Sequence, residues 1–158
     1  MKDNITDKFY AFDASLLPDG GYTVKVVASD TPSHSPGDGL TSERESSRFE
    51  VDTTPPRIEN LVAVPESGQL HVSFRATDSF SPIQRAEYSV DAGDWQYVDP
   101  ADQLSDARTE NYDFKVSLTP DGNPKSAKSA GGSDHVVVVR AYDRYDNMVA
   151  AKTVIHGQ

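Results

Sequence analysis

Cysteine is absent from the 158 residues. Its absence excludes disulfides, thiolate metal sites and cysteine nucleophiles. Long apolar runs are missing as well; none approaches the ~18 residues that a membrane-spanning helix needs. Basic residues are scarce, with 15 Lys and Arg against 25 Asp and Glu and a formal net charge of −10. Nucleic acids and anionic membrane surfaces call for a basic face, so neither is expected as a partner. The first twenty residues carry Lys2, Asp3, Asp7, Lys8, Asp13 and Asp19 and do not read as a signal peptide. No Gly-rich phosphate loop, GxSxG, HExxH or EF-hand loop occurs, so no catalytic, cofactor-binding or metal centre is expected. Hydrophobic residues make up only 36%, and ten Gly and ten Pro point to many turns.

The chain repeats itself. Phe12-Asp13-Ala14-Ser15-Leu16-Leu17-Pro18-Asp19-Gly20 aligns with Phe114-Lys115-Val116-Ser117-Leu118-Thr119-Pro120-Asp121-Gly122, and Val24-Lys25-Val26-Val27-Ala28-Ser29-Asp30 aligns with Val137-Val138-Val139-Arg140-Ala141-Tyr142-Asp143. The two offsets differ, so the second copy holds an insertion, rich in Lys, Ser, Ala and Gly, around Lys125 to Ser133. That composition reads as a flexible loop. An internal match of this kind implies two units of one fold. Between them, Thr53-Thr54-Pro55-Pro56 cannot form a ladder at Pro55 and Pro56 and biases Thr54 toward extended backbone, which makes residues 53–56 a short stiff hinge.

The dominant hydrophobic period is two. Leu70, Val72, Phe74 and Ala76 alternate with polar residues, as do Tyr112, Phe114, Val116 and Leu118. Such alternation marks strands with one face on a core. Shorter stretches at Ala86–Val90 and Trp95–Tyr97, the β-branched run from His135, and the segments Arg57–Val64 and Asn147–Ile155 bring the expectation to seven strands. Turn signals separate them at Glu66-Ser67-Gly68, Asp91-Ala92-Gly93 and Asp143 to Asp146. The pattern predicts an all-β, antiparallel, seven-stranded β-sandwich over residues 57–158. Residues 1–52, with far less chain ahead of Phe12 than stands ahead of Phe114, read as the C-terminal part of a truncated module. Three strands are expected there, with apolar Phe12, Leu16, Tyr22, Val24, Val26, Phe49 and Val51, and Thr31 to Arg48 is expected to be a loop.

These residues resemble the fibronectin type III and immunoglobulin-like modules of bacterial extracellular proteins. Leu16-Leu17-Pro18-Asp19-Gly20-Gly21-Tyr22-Thr23-Val24-Lys25-Val26 is similar to that family's L-x-P-x-x-x-Y-x-V-x-V segment. The resemblance implies that Tyr22 bonds back to the preceding backbone as a tyrosine corner. Pro56, Leu61 and Gly68 to Phe74 resemble the family's opening strands. Phe74 stands where the family usually has Trp, and His135 where the second unit should have its corner Tyr. The resemblance implies a secreted or cell-surface protein, and partners among the other domains of a larger parent.

Residues that could carry chemistry each have a plainer explanation. His34, His71, His135 and His156 are scattered, and His71 alternates outward on a strand, as a solvated edge His would. Asp143, Asp146 and Asn147 could supply oxygens to Ca²⁺, but Asp and Asn also build tight turns, and the turn is preferred. Arg144-Tyr145-Asp146 resembles the RGD-type adhesive tripeptides that family members carry on this loop. Trp95 and Tyr97, with Tyr88 and Tyr112, form an aromatic group that could stack on sugar rings; packing on the sandwich or capping its edge is the simpler use. Asn4-Ile5-Thr6 is an N-glycosylation sequon. The expected function is a non-catalytic spacer or protein-interaction module. A carbohydrate-binding accessory module using Trp95 and Tyr97 is the alternative, and self-association through residues 1–52 is a further expectation, since three strands alone leave edges open.

Overall fold

The computed structural model describes residues 4–118 and 134–157, and the chain divides into two units, residues 1–53 and 54–158. The expected flexible loop from Gly122 to Ser133 lies outside the described residues, as does the matched segment Thr119 to Gly122. The described chain is all-β and antiparallel, with only two single-turn 3-10 segments.

In the second unit, β5 (Arg57–Glu66), β6 (Gln69–Thr77) and β9 (Thr109–Ser117) form one sheet in the order β5-β6-β9. A second sheet has the order β11-β10-β7-β8, built from β7 (Ile83–Val90), β8 (Gln96–Val98), β10 (His135–Asp143) and β11 (Met148–Ile155). The two sheets enclose one apolar core, an arrangement consistent with a β-sandwich. Leu70, Val72, Phe74 and Ala76 enter it from β6, Tyr112 from β9, Ile83 and Ala86 from β7, and Val137, Val139 and Ala141 from β10. Leu61, Tyr88, Phe114, Val116 and Leu118 pack against its margin.

Local chemistry sets the register. Ser67 and Gly68 both take positive φ, 49° and 83°, between the paired Glu66 and Gln69, so β5 and β6 are joined by a two-residue turn of the kind whose twist suits a hairpin. Within β5, Asn60 takes φ 55° and the pairing slips between Glu59 and Val62. This bulge sets two residues against one, which lets Ile58 and Leu61 pack on the same core although they are three apart. Asp78 shapes the next turn: its Oδ1 accepts from the N–H groups of Phe80 and Ser81 at 2.7 and 2.8 Å. Phe74 lies opposite Tyr112 in the ladder, and their rings stack with centroids 4.5 Å apart. His71 lies on the central strand of its sheet, not on an edge; its Nε2 is 2.8 Å from Asp113 Oδ1.

The first unit contains β1 (Gly20–Tyr22) paired with β4 (Phe49–Val51), and β2 (Lys25–Ser29) paired with β3 (Thr41–Glu45). Two expectations fail here. Residues 12–16, matched in sequence to β9, are not a strand: Ala14–Leu16 is a 3-10 turn started by Asp13, whose Oδ1 accepts the Ser15 N–H at 2.9 Å. In the second unit the matching segment bonds along β6; no described strand offers that edge here, so local hydrogen bonds take over. The span from Thr31 to Arg48 is also not all loop, because Thr41–Glu45 pairs with β2 despite its polar sequence. Backbone pairing does not need apolar side chains, and opposite charges across the ladder, such as Lys25 and Glu43 at 2.6 Å, sit well on a solvated hairpin.

Removing the Phe74 ring deletes the stack on Tyr112 and leaves a cavity in the centre of the core. Phe74→Ala is expected to cost roughly 3–5 kcal/mol in chemical denaturation of residues 54–158. A cost below about 1 kcal/mol would place this ring outside the core.

Candidate functional site

Alternation puts one face of β7 and β10 on the core and turns the other outward. In the second sheet Glu87 is paired with Arg140 on one side and Tyr97 on the other, so all three share the outer face. Arg140 Nε donates to Glu87 Oε2. Glu87 is only 7% exposed, and this charge-assisted contact accounts for a carboxylate so little hydrated.

The guanidinium of Arg140 also lies over two rings. Its Cζ is 3.9 Å from the centroid of Trp95 and 5.5 Å from that of Tyr142. Arg85 covers Tyr142 in turn at 3.8 Å, and Arg85 Nη1 donates to Asp146 Oδ1 at 2.8 Å. That hydrogen bond raises the Arg85 pKa above its ordinary value. Rings and guanidinium groups thus alternate along the outer face in the order Trp95, Arg140, Tyr142, Arg85. Each contact joins a cation to a π face, and the two carboxylates fix the cations laterally.

Trp95 and Tyr97 are therefore brought to one face, at 42% and 73% exposure. Tyr97 also borders an open groove of about 510 Å³ along the flank between β8 and β9, lined by Tyr88, Pro100, Asp113, Phe114 and Lys115 among others. The other two aromatics do not join them. Tyr88 faces the core margin, its hydroxyl 2.8 Å from Gln96 Oε1. Tyr112 is buried under Phe74, and burial pushes its phenol up to about 12.

The turn between β10 and β11 uses its acids internally. Asp143 is fully buried; Oδ1 accepts the N–H groups of Tyr145 and Asn147 at 2.8 and 2.9 Å, and Oδ2 accepts Asn147 Nδ2 at 2.7 Å. Asp146 has positive φ and turns outward to Arg85. The Asp143 and Asp146 carboxylates are thus held by protein donors, Asn147 being one of the donors to Asp143, and among the described residues no group of three or more His, Asp or Glu side chains is placed to hold a metal ion. Arg144 and Tyr145 lie in this same turn, Arg144 donating its N–H to the Pro82 carbonyl at 3.1 Å.

Residues given structural roles are placed as follows. The Tyr22 hydroxyl donates to the Pro18 carbonyl oxygen at 2.5 Å, a corner contact within four residues. In the second unit, where His135 stands in the corner position, a different device closes the same end. Asp91, with φ 51°, places Oδ2 2.6 Å from His135 Nδ1 and accepts the Val136 N–H on Oδ1 at 2.8 Å. Pro55 is exposed and Pro56 buried. Sequence reading missed the pairing of Glu87 with Arg140 and that of Asp91 with His135; only the strand register makes positions so far apart in the chain neighbours.

No protein-family model matches the chain, and neither a search of curated proteins nor one of solved structures finds a match.

Two outcomes follow. Trp95 is the chain's one tryptophan, so its fluorescence reports this face alone. Arg140→Ala should shift its emission to the red and, by leaving Glu87 without its partner, cost roughly 2–4 kcal/mol; an unchanged spectrum would mean that the guanidinium does not cover the ring. For Asp91, burial works against the charge, but the bonds from His135 and the Val136 N–H outweigh it and hold the carboxyl below its ordinary range. A depressed folded-state value gives stability that is full above the unfolded value and lost as pH falls through the folded one. Between about pH 5 and pH 2 the wild type should therefore lose more stability than Asp91→Asn, read as denaturation midpoints. Parallel curves would remove Asp91 from the acid response.

Proposed function

We propose that residues 54–158 are a seven-stranded fibronectin type III or immunoglobulin-like module of a larger secreted or surface protein, that residues 1–53 are part of a second module of that kind, and that the pair acts as a non-catalytic spacer or protein-interaction element. The secreted setting and the partnership with other domains of a parent come from the sequence resemblance.

The observation that carries the spacer reading is the path of the chain through the second unit. Arg57, where β5 begins, is opposite Thr77 at the end of β6. Thr77 is opposite Thr109, and the neighbouring Ala107 carbonyl accepts the N–H of Ile83, where β7 begins. Ile83 is opposite Asp143, the end of β10. All of these share one end of the unit. β11 runs antiparallel to β10 and finishes at Ile155, opposite His135, at the other end. Entry and exit are thus a strand length apart, about 30 Å at ~3.3 Å per residue. On the outer face Glu87 is meanwhile committed to Arg140 and Asp146 to Arg85, as expected of a surface whose task is to stay rigid. A carbohydrate-binding role has one point in its favour, the exposure of Trp95 and of Tyr97, the latter beside an open groove.

Spin labels at Arg57→Cys and His156→Cys in the cysteine-free chain should report a distance of about 30 Å that glycans leave unchanged, and a glycan array should be blank. A distance under about 15 Å would overturn the spacer reading. Array binding lost in Trp95→Ala or Tyr97→Ala would replace it with carbohydrate recognition.

A further inference from the structure

The two copies of the repeat present the same residues in opposite states. Val24, Val26, Ala28 and Asp30 of the first unit align with Val137, Val139, Ala141 and Asp143 of the second. The match is identity at every position on that face. In the second unit all four are fully buried; in the first, Val24 is 38% exposed, Val26 62%, and Ala28 is exposed too. The aspartates serve the same local purpose in both, Asp30 Oδ1 accepting the Leu40 N–H at 2.6 Å and Asp143 Oδ1 that of Asn147.

The hydrogen-bond phase matches as well. Ser46 N–H donates to the Val24 carbonyl and Asp30 N–H to the Leu40 carbonyl, so residues 24, 26, 28 and 30 turn their backbone groups toward β3. Lys25, Val27 and Ser29 then turn theirs to the opposite edge, which is unpaired among the described residues. In the second unit Asp143 N–H donates to Asn147, which puts the residues aligned with 24, 26, 28 and 30 toward β11, and those aligned with 25, 27 and 29 toward β7. Among the described residues, the strand that β2 lacks on this edge is the counterpart of β7.

We infer that the outer edge of β2 is a strand-acceptor site for an extended polypeptide segment of the β7 pattern, apolar and polar in alternation, pairing antiparallel with Lys25–Ser29. Transferring the β10–β7 register sets Val90, Tyr88 and Ala86 of such a strand against Val24, Val26 and Ala28. On the other face Glu87 stands opposite Val27 and diagonal to Lys25, a pair of opposite charge, while Arg85 stands opposite Ser29. The added strand continues the existing β3-β2 ladder, covers the bare valines and satisfies the outward N–H groups in one step. The inference stands on the repeat and on pairing phase, and holds whichever role the second unit has.

The test uses the full chain and a synthetic peptide of residues 81–91. With Val27→Cys in the protein and cysteine at peptide position 87, disulfide trapping should run about ten-fold faster than with cysteine at position 88, because only the first pair is directly opposite and near ~5.5 Å between Cα atoms. In the wild-type chain, adding the peptide should slow amide exchange at Lys25, Val27 and Ser29 by about ten-fold and leave Val26 and Ala28 as they were. Val27→Pro removes an outward donor while sparing the β2–β3 ladder, and should abolish this protection. Equal trapping at both positions, or no change in exchange, would overturn the site. Protection of the odd-numbered amides that rises with protein concentration before any peptide is added would also overturn it, since a second copy would then be the occupant.

Discussion

The pairing of β7 with β10 is the interaction on which the second unit depends. It brings Ala86, Tyr88 and Val90 beside Ala141, Val139 and Val137, which closes the core on the side of the larger sheet. The same ladder, read on its other face, delivers Glu87 to Arg140 and Arg85 to Tyr142, and so creates the alternating rings and guanidinium groups outside. A one-residue slip would exchange the two faces, burying Arg140 and exposing Val139. The Asp91 contact with His135 and Val136 at one end of the ladder, and the Arg144–Pro82 hydrogen bond at the other, hold the register between them.

Much of this was legible from residue order because period-two alternation is a direct imprint of a half-buried strand. Leu70 to Ala76 and Tyr112 to Leu118 carried that signal, and their inner residues do meet in the core or at its margin. Three kinds of feature were not legible. The bulge at Asn60 breaks the period, so the inward set of β5 has to be read from pairing. The turn at Ala14–Leu16 answers to whether a neighbouring strand is present, which no local pattern encodes. β3 is drawn from Thr, Ser, Glu and Arg and resembles a loop by composition, since its stability comes from main-chain pairing. The outer face was half legible: Trp95 and Tyr97 stood out as aromatic, while Arg140 and Glu87 are 53 positions apart and ordinary in type until the register unites them.

The acidic excess finds a physical use in this arrangement. Several of the carboxylates do backbone work: Asp13, Asp30, Asp78, Asp91, Glu110 and Asp143 each accept a main-chain N–H at a turn or strand end. A chain with many short strands has many such ends, and an ionised acceptor holds them more firmly than a neutral one. The composition is thus partly a record of how often this backbone reverses direction.

The opposite placement of entry and exit has a mechanical meaning. A pull applied through the chain at Arg57 and Ile155 acts along the strands, not across them. β5 is then loaded in shear against β6, and β11 in shear against β10, so several ladder hydrogen bonds bear the force at once where a hairpin peeled from its tip would surrender them singly. The first unit is built differently, because its strands β2 and β3 belong to one hairpin and carry their termini at the same end. Tension between those termini would open that hairpin bond by bond, making it the softer element of the chain under load.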